Sequence, residues 1–273
     1  MQRLIHRSNF LCWTVLAAIS SSFPCLLIPA QVPLGFNPRP VFDDEFNGTA
    51  LDPFKWDYRE LGSRGAAIQT KDAIRVANGY LTIKTYSTVD PDGKVNVYSG
   101  MISTEKSFKM TYGYWEASIR FHYNPGTQPA FWVQSPSIGT PVGSPEKAGV
   151  EMDIFEHTSK TTEATTYDHA FHWDGYEVSH KVKAQYFTRP NLEDGKFHTF
   201  GLEWTPAGYR FFVDGQIDWD LTALEVPVSQ VAEYIILSTE VYRNIPSSGY
   251  GNPESSTATF DVDYVRAYSY VPK

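Results

Sequence analysis

The sequence predicts an all-β chain folded as two packed antiparallel sheets. Period-two alternation of apolar and polar residues recurs from Val41 onward, and no long helical pattern interrupts it. Tight-turn dipeptides, Asn78-Gly79 and Asp214-Gly215, fall between such runs as hairpin connections. Many strands with few helices leave two stacked sheets as the natural way to bury the apolar faces. The 273 residues include 17 Phe, 17 Tyr and 7 Trp, enough to fill a core between sheets and to leave flat rings for a carbohydrate surface. Gly and Pro recur without a triplet period, which excludes collagen and suits frequent turns. A formal net charge of −8 argues against nucleic acid or an anionic membrane surface as a general partner.

Residues 1–30 read as an export signal. Arg3 and Arg7 form a positive start, Phe10 to Ile19 is a short apolar stretch, and a small-residue stop places cleavage after Ala30. Ser20 to Ser22 and Pro24 break the apolar run before it reaches membrane-spanning length, so no membrane insertion is expected. Cys12 and Cys25 both fall in this segment, so a processed chain has neither disulfides nor thiolate chemistry. The segment carries two arginines and no acid, so its removal makes the chain more acidic still. The expectation is a secreted monomer, extracellular or periplasmic, with one domain over 31–273.

The clearest strand is Gly113 to His122, with Trp115, Ala117, Ile119 and Phe121 on one face and Glu116, Ser118, Arg120 and His122 on the other. Further strands are expected at Tyr80–Tyr86, Ala130–Gln134, Val150–Glu156, Thr165–Trp173, His198–Trp204, Tyr209–Val213, Tyr234–Val241 and Thr259–Tyr268. The longest turn-rich stretches, Pro136–Gly149 and Asn244–Ala258, have the size of functional loops.

Chemistry concentrates in Val150-Glu151-Met152-Asp153-Ile154-Phe155-Glu156-His157. On a regular strand Glu151 and Asp153 share a face, whereas Glu156 points into the core, where an unpaired carboxylate is very costly. One extra residue, a β-bulge, resets the register and brings Glu156 beside the other two. The glutamate Cα atoms then lie roughly 10–13 Å apart, and side chains leaning together reach the ~5–6 Å carboxyl separation of a retaining glycosidase. Crowded carboxylates raise at least one pKa, which keeps an acid protonated near neutral pH. A metal site or a solvated acidic edge is the alternative, disfavoured by the apolar residues interleaved with the acids.

Glu151-Met152-Asp153-Ile154-Phe155-Glu156 resembles the bulge-containing Glu-x-Asp-x-x-Glu signature of glycoside hydrolase family 16. Flanking segments resemble the family in the same order: Phe42-Asp43-Asp44-Glu45-Phe46-Asn47-Gly48 with Lys55-Trp56, Tyr112-Gly113-Tyr114-Trp115-Glu116-Ala117, Pro129-Ala130-Phe131-Trp132, His198–Thr205 and Val262-Asp263-Tyr264-Val265-Arg266. The resemblance implies a concanavalin-like β-jelly roll with a substrate cleft on its concave face. It also implies Glu151 as nucleophile, Asp153 as helper and Glu156 as acid/base, with no cofactor required for catalysis. Trp132 is expected to stack on sugar, and Asp263 resembles a residue that in some members helps bind calcium. Gln128 stands where many members carry Trp, which exchanges a stacking surface for an amide. Arg59 and Arg64 either contact an anionic sugar or are solvated loop charges. His169 and His172, three apart, fall on opposite faces; His172, with Trp173, touches sugar or is structural. Glu240 and Arg243 are candidates for the cleft rim. A β-1,3- or mixed-linked glucan is the first expectation for substrate, marine galactans the second, and a non-catalytic carbohydrate-binding jelly roll the reading from another class.

Overall fold

The computed structural model describes residues 32–158 and 164–272; the expected export segment lies outside them. Two antiparallel sheets face each other. The first, the cleft sheet, has seven strands in the spatial order Lys181–Thr188, Thr166–Trp173, Glu151–Glu156, Thr127–Gln134, Tyr234–Val241, Met101–Ser103 and Asp57–Tyr58. The second, the back sheet, runs Gln216–Thr222, Gly208–Val213, His198–Thr205, Gly113–Phe121, Thr259–Tyr268, Tyr80–Lys84 and Ile74–Ala77, with Phe42–Asp44 added on Thr259–Tyr268. A small third sheet, which includes Gly62–Arg64 and Ala67–Gln69, stands at one end.

The alternation in Gly113–Phe121 has the predicted consequence. Trp115, Ala117, Ile119 and Phe121 all enter the core, meeting Phe131, Val133, Met152, Ile154 and Phe155 from the cleft sheet. Phe155 is the hub, with its ring 4.5 Å from Phe200 and 5.4 Å from Phe121 across the sandwich. The outward face of that strand is not simply solvated. Glu116 is buried and accepts hydrogen bonds from Tyr114 (2.7 Å) and Tyr264 (2.8 Å), and Arg120 pairs with Asp261 at 2.8 Å.

Both predicted hairpin turns are present. Asn78-Gly79 and Asp214-Gly215 have positive φ at both positions, the backbone that a two-residue turn requires. The strand expected at Tyr80–Tyr86 is divided, ending at Lys84 and resuming in the third sheet as Tyr86–Val89. Lys181–Thr188 went unseen in the sequence because it is an edge strand whose residues are mostly exposed on both faces, which erases the alternation. Among the described residues no helix is long and apolar enough to cross a membrane.

Candidate active site

The bulge decides the site. Trp132 pairs with Asp153 and Phe131 with Phe155, so Ile154 is the extra residue on its strand. On the other side, Asp153 pairs with Ala170 and Glu156 with Asp168, so two residues, Ile154 and Phe155, are matched against one, His169. Ile154 and Phe155 therefore both drop into the core, and Glu151, Asp153 and Glu156 line the cleft together. The cleft encloses about 710 Å³ over the outer face of this sheet.

Three rows of side chains cross the sheet. Tyr234, Gln134, Glu151 and His172 are in register in the first, Ile236, Trp132, Asp153 and Ala170 in the second, and Ser238, Ala130, Glu156 and Asp168 in the third. A fourth pairing, Gln128 with Glu240, extends the site toward the third sheet.

The two glutamates differ in their neighbours. Glu151 accepts a hydrogen bond from Gln134 Nε2 at 2.7 Å and another from the Tyr176 hydroxyl, both of which favour its ionised form. Burial and the charge of Asp153 push its pKa up to about 7, while His172, Tyr176 and Gln134 hold it back. Gln134 is itself fixed, its Oε1 accepting from Tyr234 (2.8 Å) and Arg59 (3.1 Å). Glu156 accepts from Gln128 Nε2 at 3.0 Å. Burial first, then the charges of Asp153, Asp168, Glu240 and Glu151, push Glu156 well above the ordinary carboxylate range. One carboxyl is set up to ionise and the other to keep its proton, the division an acid/nucleophile pair needs.

Asp153 lies 3.3 Å from His172 Nε2, and His172 Nδ1 is 2.8 Å from His180 Nε2. Burial opposes a charge on His172, but the hydrogen bond and charge of Asp153, helped by Glu151 and Asp168, raise its pKa to about 9. Glu151, Asp153 and His172 could offer one donor atom each to a metal. The direct pairing of Asp153 with His172 instead suits a protonated imidazole that neutralises the crowded acids.

Over residues 36–270 the sequence matches the family model described as the GH16 domain of β-porphyranases A–D. The chain belongs to glycoside hydrolase family 16. A β-glucanase of Rhodothermus marinus is 28% identical over 258 residues, with 85% of each protein covered. β-Porphyranase E of Zobellia galactanivorans is 24% identical, covering 85% of this chain and 87% of that protein. Glucan endo-1,3-β-glucosidase A1 of Niallia circulans, 24% identical, is matched over only 37% of its length. Among solved structures, the endo-β-1,3-glucanase of Pyrococcus furiosus is 27% identical and superposes with a TM-score of 0.67 over 86% of this chain and 95% of that one. The laminarinase catalytic domain of Thermotoga petrophila gives 25% and 0.66 over 85% and 98%. The fold is thus the jelly roll of family 16, and the chain is a glycoside hydrolase.

Most of the predicted site residues of this family 16 domain meet in the cleft. Trp132 lies in its floor, its Nε1 donating to Ser238 Oγ at 3.0 Å, and Gln128, His172, Arg64, Glu240 and Arg243 line its walls. Arg64 pairs with both Glu240 and Glu60, and Tyr242 donates to Glu240. Arg59 pairs with Glu60 (3.3 Å) and Glu105 (3.2 Å), so the two arginines belong to one charge network rather than to solvent. Trp173 is a correction. It packs against the core, because adjacent strand residues face opposite ways and His172 occupies the cleft face. His169, as expected, faces inward, stacked on Phe211 at 4.3 Å and 3.2 Å from Asp218. Asp263 sits on the back sheet with Ser118 Oγ at 3.4 Å; burial, with Glu45 nearby, raises its pKa. Among the described residues it joins no group of three side-chain metal donors.

Gln134, Asp168, Tyr176 and His180 were missed. The first two were within reach: Gln134 continues the period-two series from Gln128 through Ala130 and Trp132, and Asp168 shares a face with His172. Tyr176 and His180 come from the turn between strands, which carries no periodicity to read.

Proposed function

We propose that this chain is an endo-acting, retaining hydrolase of a β-linked polysaccharide. The observation that carries this is the pair Glu151 and Glu156 on one bulged strand, with donors gathered on Glu151 and like charges gathered around Glu156. In the first step the Glu151 carboxylate attacks the anomeric carbon, the glycosidic C–O bond breaks, and the Glu156 proton passes to the leaving oxygen. Water then attacks the glycosyl–Glu151 ester, Glu156 takes a proton from it, and Glu151 is released. Asp153, paired with His172, holds a charge between the two glutamates and tunes both. None of these steps needs a cofactor. Among the described residues Asp263 joins no group of three His, Cys, Asp or Glu donors, and no step above depends on a metal.

For substrate, a galactan of the porphyran type is the first reading. It is supported by the family model matched, by Gln128 in place of a flat ring, and by Arg59, Arg64 and Arg243 in the cleft. Planar guanidinium groups suit the bidentate recognition of sulfate esters. Glu60, partly exposed and shared by Arg59 and Arg64, is the carboxylate a sulfate would displace. A β-1,3- or mixed-linked glucan is the second reading, favoured by the Rhodothermus β-glucanase match across 85% of both proteins. Reducing-sugar release from porphyran, agarose, carrageenan, laminarin and lichenan separates them. Turnover of porphyran with Arg64→Ala impaired supports the first; turnover of laminarin or lichenan alone supports the second. Binding without turnover of any of them contradicts the enzymatic reading. The export segment at residues 1–30 completes the proposal, since polymers of this size are met outside the cell; N-terminal sequencing of protein from culture medium tests it.

A further inference from the structure

Glu233 is a fully buried carboxyl that the chemistry above does not use. It precedes the strand Tyr234–Val241, and its backbone is clamped to Met110 by two hydrogen bonds, Met110 N–H to Glu233 O at 3.0 Å and the reverse at 3.1 Å. The side chain is therefore held from a fixed point. Its Oε1 accepts the backbone N–H of Val150 at 3.1 Å, and Val150 immediately precedes Glu151.

The catalytic strand needs an anchor at this end. Glu151 pairs with His172 on one side, but on the other the ladder to Thr127–Gln134 reaches only Met152 with Val133, and Glu151 meets Gln134 there through its side chain. Upstream, the one-turn helix Pro145–Ala148 ends at Gly149, whose φ is 91° and whose N–H returns to Pro145 O at 2.8 Å. A Cβ at Gly149 would stand 2.0 Å from Ser135 Cβ and 3.3 Å from Glu233 Oε1, so the chain enters the strand pressed against both residues. A second link, Gln230 N–H to Glu146 O at 3.0 Å, ties the helix to the segment just before Glu233.

We propose that Glu233 is a positioning residue for the nucleophile: by holding the Val150 N–H it fixes where the strand begins and so where the Glu151 carboxylate stands in the cleft. The inference rests on Glu151 as nucleophile. Burial raises the Glu233 pKa to about 8, and the charge of Glu151 adds to the rise, so near neutral pH the side chain is a neutral acid that does not repel Glu151. Ser229 is the polar neighbour of this carboxyl, and it and the Val150 N–H draw the raised pKa part of the way back down.

The test compares Glu233→Leu, Glu233→Gln and Glu233→Asp in the full chain, with near-ultraviolet circular dichroism to establish folding. The substrates are the polysaccharide cleaved by the wild type and its 2,4-dinitrophenyl β-oligosaccharide, whose leaving group needs no acid. Glu233→Leu is expected to lower kcat on the order of 10²-fold, the effect of a misplaced reacting group, with KM held within about twofold and the same loss on both substrates. Glu233→Gln keeps the acceptor oxygen and retains kcat within about threefold. Glu233→Asp withdraws the acceptor by one methylene and falls with Glu233→Leu, which keeps the test open if the leucine variant does not fold. A folded Glu233→Leu or Glu233→Asp protein with wild-type kcat overturns the inference, as does a Glu233→Gln loss as deep as that of leucine. Recovery on the dinitrophenyl substrate overturns it too, since the defect would then lie with the acid. Activity surviving in Glu151→Gln would instead overturn the proposed function, and the two failures are distinguishable.

Discussion

At the scale of single residues the site is a matter of who surrounds each carboxyl. Gln134 and Tyr176 donate to Glu151, while Asp168, Glu240 and Asp153 crowd Glu156 with negative charge. The rate should therefore fall on the acid side as Glu151 takes up a proton, near pH 7, and on the alkaline side as Glu156 loses one. Tyr176→Phe removes a donor that lowers the Glu151 pKa, so the acid limb of kcat/KM moves to higher pH; an unmoved limb contradicts that role. Glu156→Gln should cost ~10²–10⁴-fold on the polysaccharide and far less on a dinitrophenyl glycoside, and it should abolish the alkaline limb. The three acids were legible because their spacing constrains chemistry. Their supporting groups were less so, because Tyr176 and His180 reach the cleft from a turn, where sequence distance says nothing about direction.

At the scale of elements the bulge does the organising. It places two successive apolar side chains, Ile154 and Phe155, in the core and turns Glu156 outward. Deleting Ile154 removes the extra residue, and plain alternation then keeps Glu156 on the cleft face beside Glu151 and Asp153, one strand position closer to them. The expected outcome is a folded chain that keeps measurable hydrolase activity, with a lower Tm because the buried Ile154 side chain is lost from the core. A folded deletion variant in which Glu156 has left the cleft, read as complete loss of activity with Tm unchanged, contradicts this reading of the bulge. The bulge could be inferred from sequence because the regular alternative is energetically untenable. The face of Trp173 followed from the same alternation once His172 was assigned to the cleft, and assigning both to sugar contradicted it. Edge strand Lys181–Thr188 gave no such handle, since exposure on both faces leaves no pattern, and strands of the third sheet such as Gly62–Arg64 and Ala67–Gln69 are too short to show a period.

For the whole molecule, several buried groups favour their protonated forms in the fold. Glu151 rises to about 7, Glu233 to about 8 and His172 to about 9. A pKa raised by folding means the folded state binds protons more tightly than the unfolded chain. Stability from these groups is complete below their unfolded values and lost as pH rises through the folded ones. Tm should therefore decline from about pH 5 to 9, and a thermal scan series that rises across that window contradicts the assignment. Glu233→Gln should flatten the part of that decline near pH 8. The two-sheet architecture and the acid triad could be read from the chain, because alternation and spacing are local properties. The charge network joining Arg59, Arg64, Glu60 and Glu240 could not, because it brings the third sheet against the end of a strand far along the sequence. The central claim, double displacement by Glu151 and Glu156 in one cleft, is tested most directly by proton NMR of the first product released from the polysaccharide. The β anomer should appear first and mutarotate later; an initial α anomer would contradict the account.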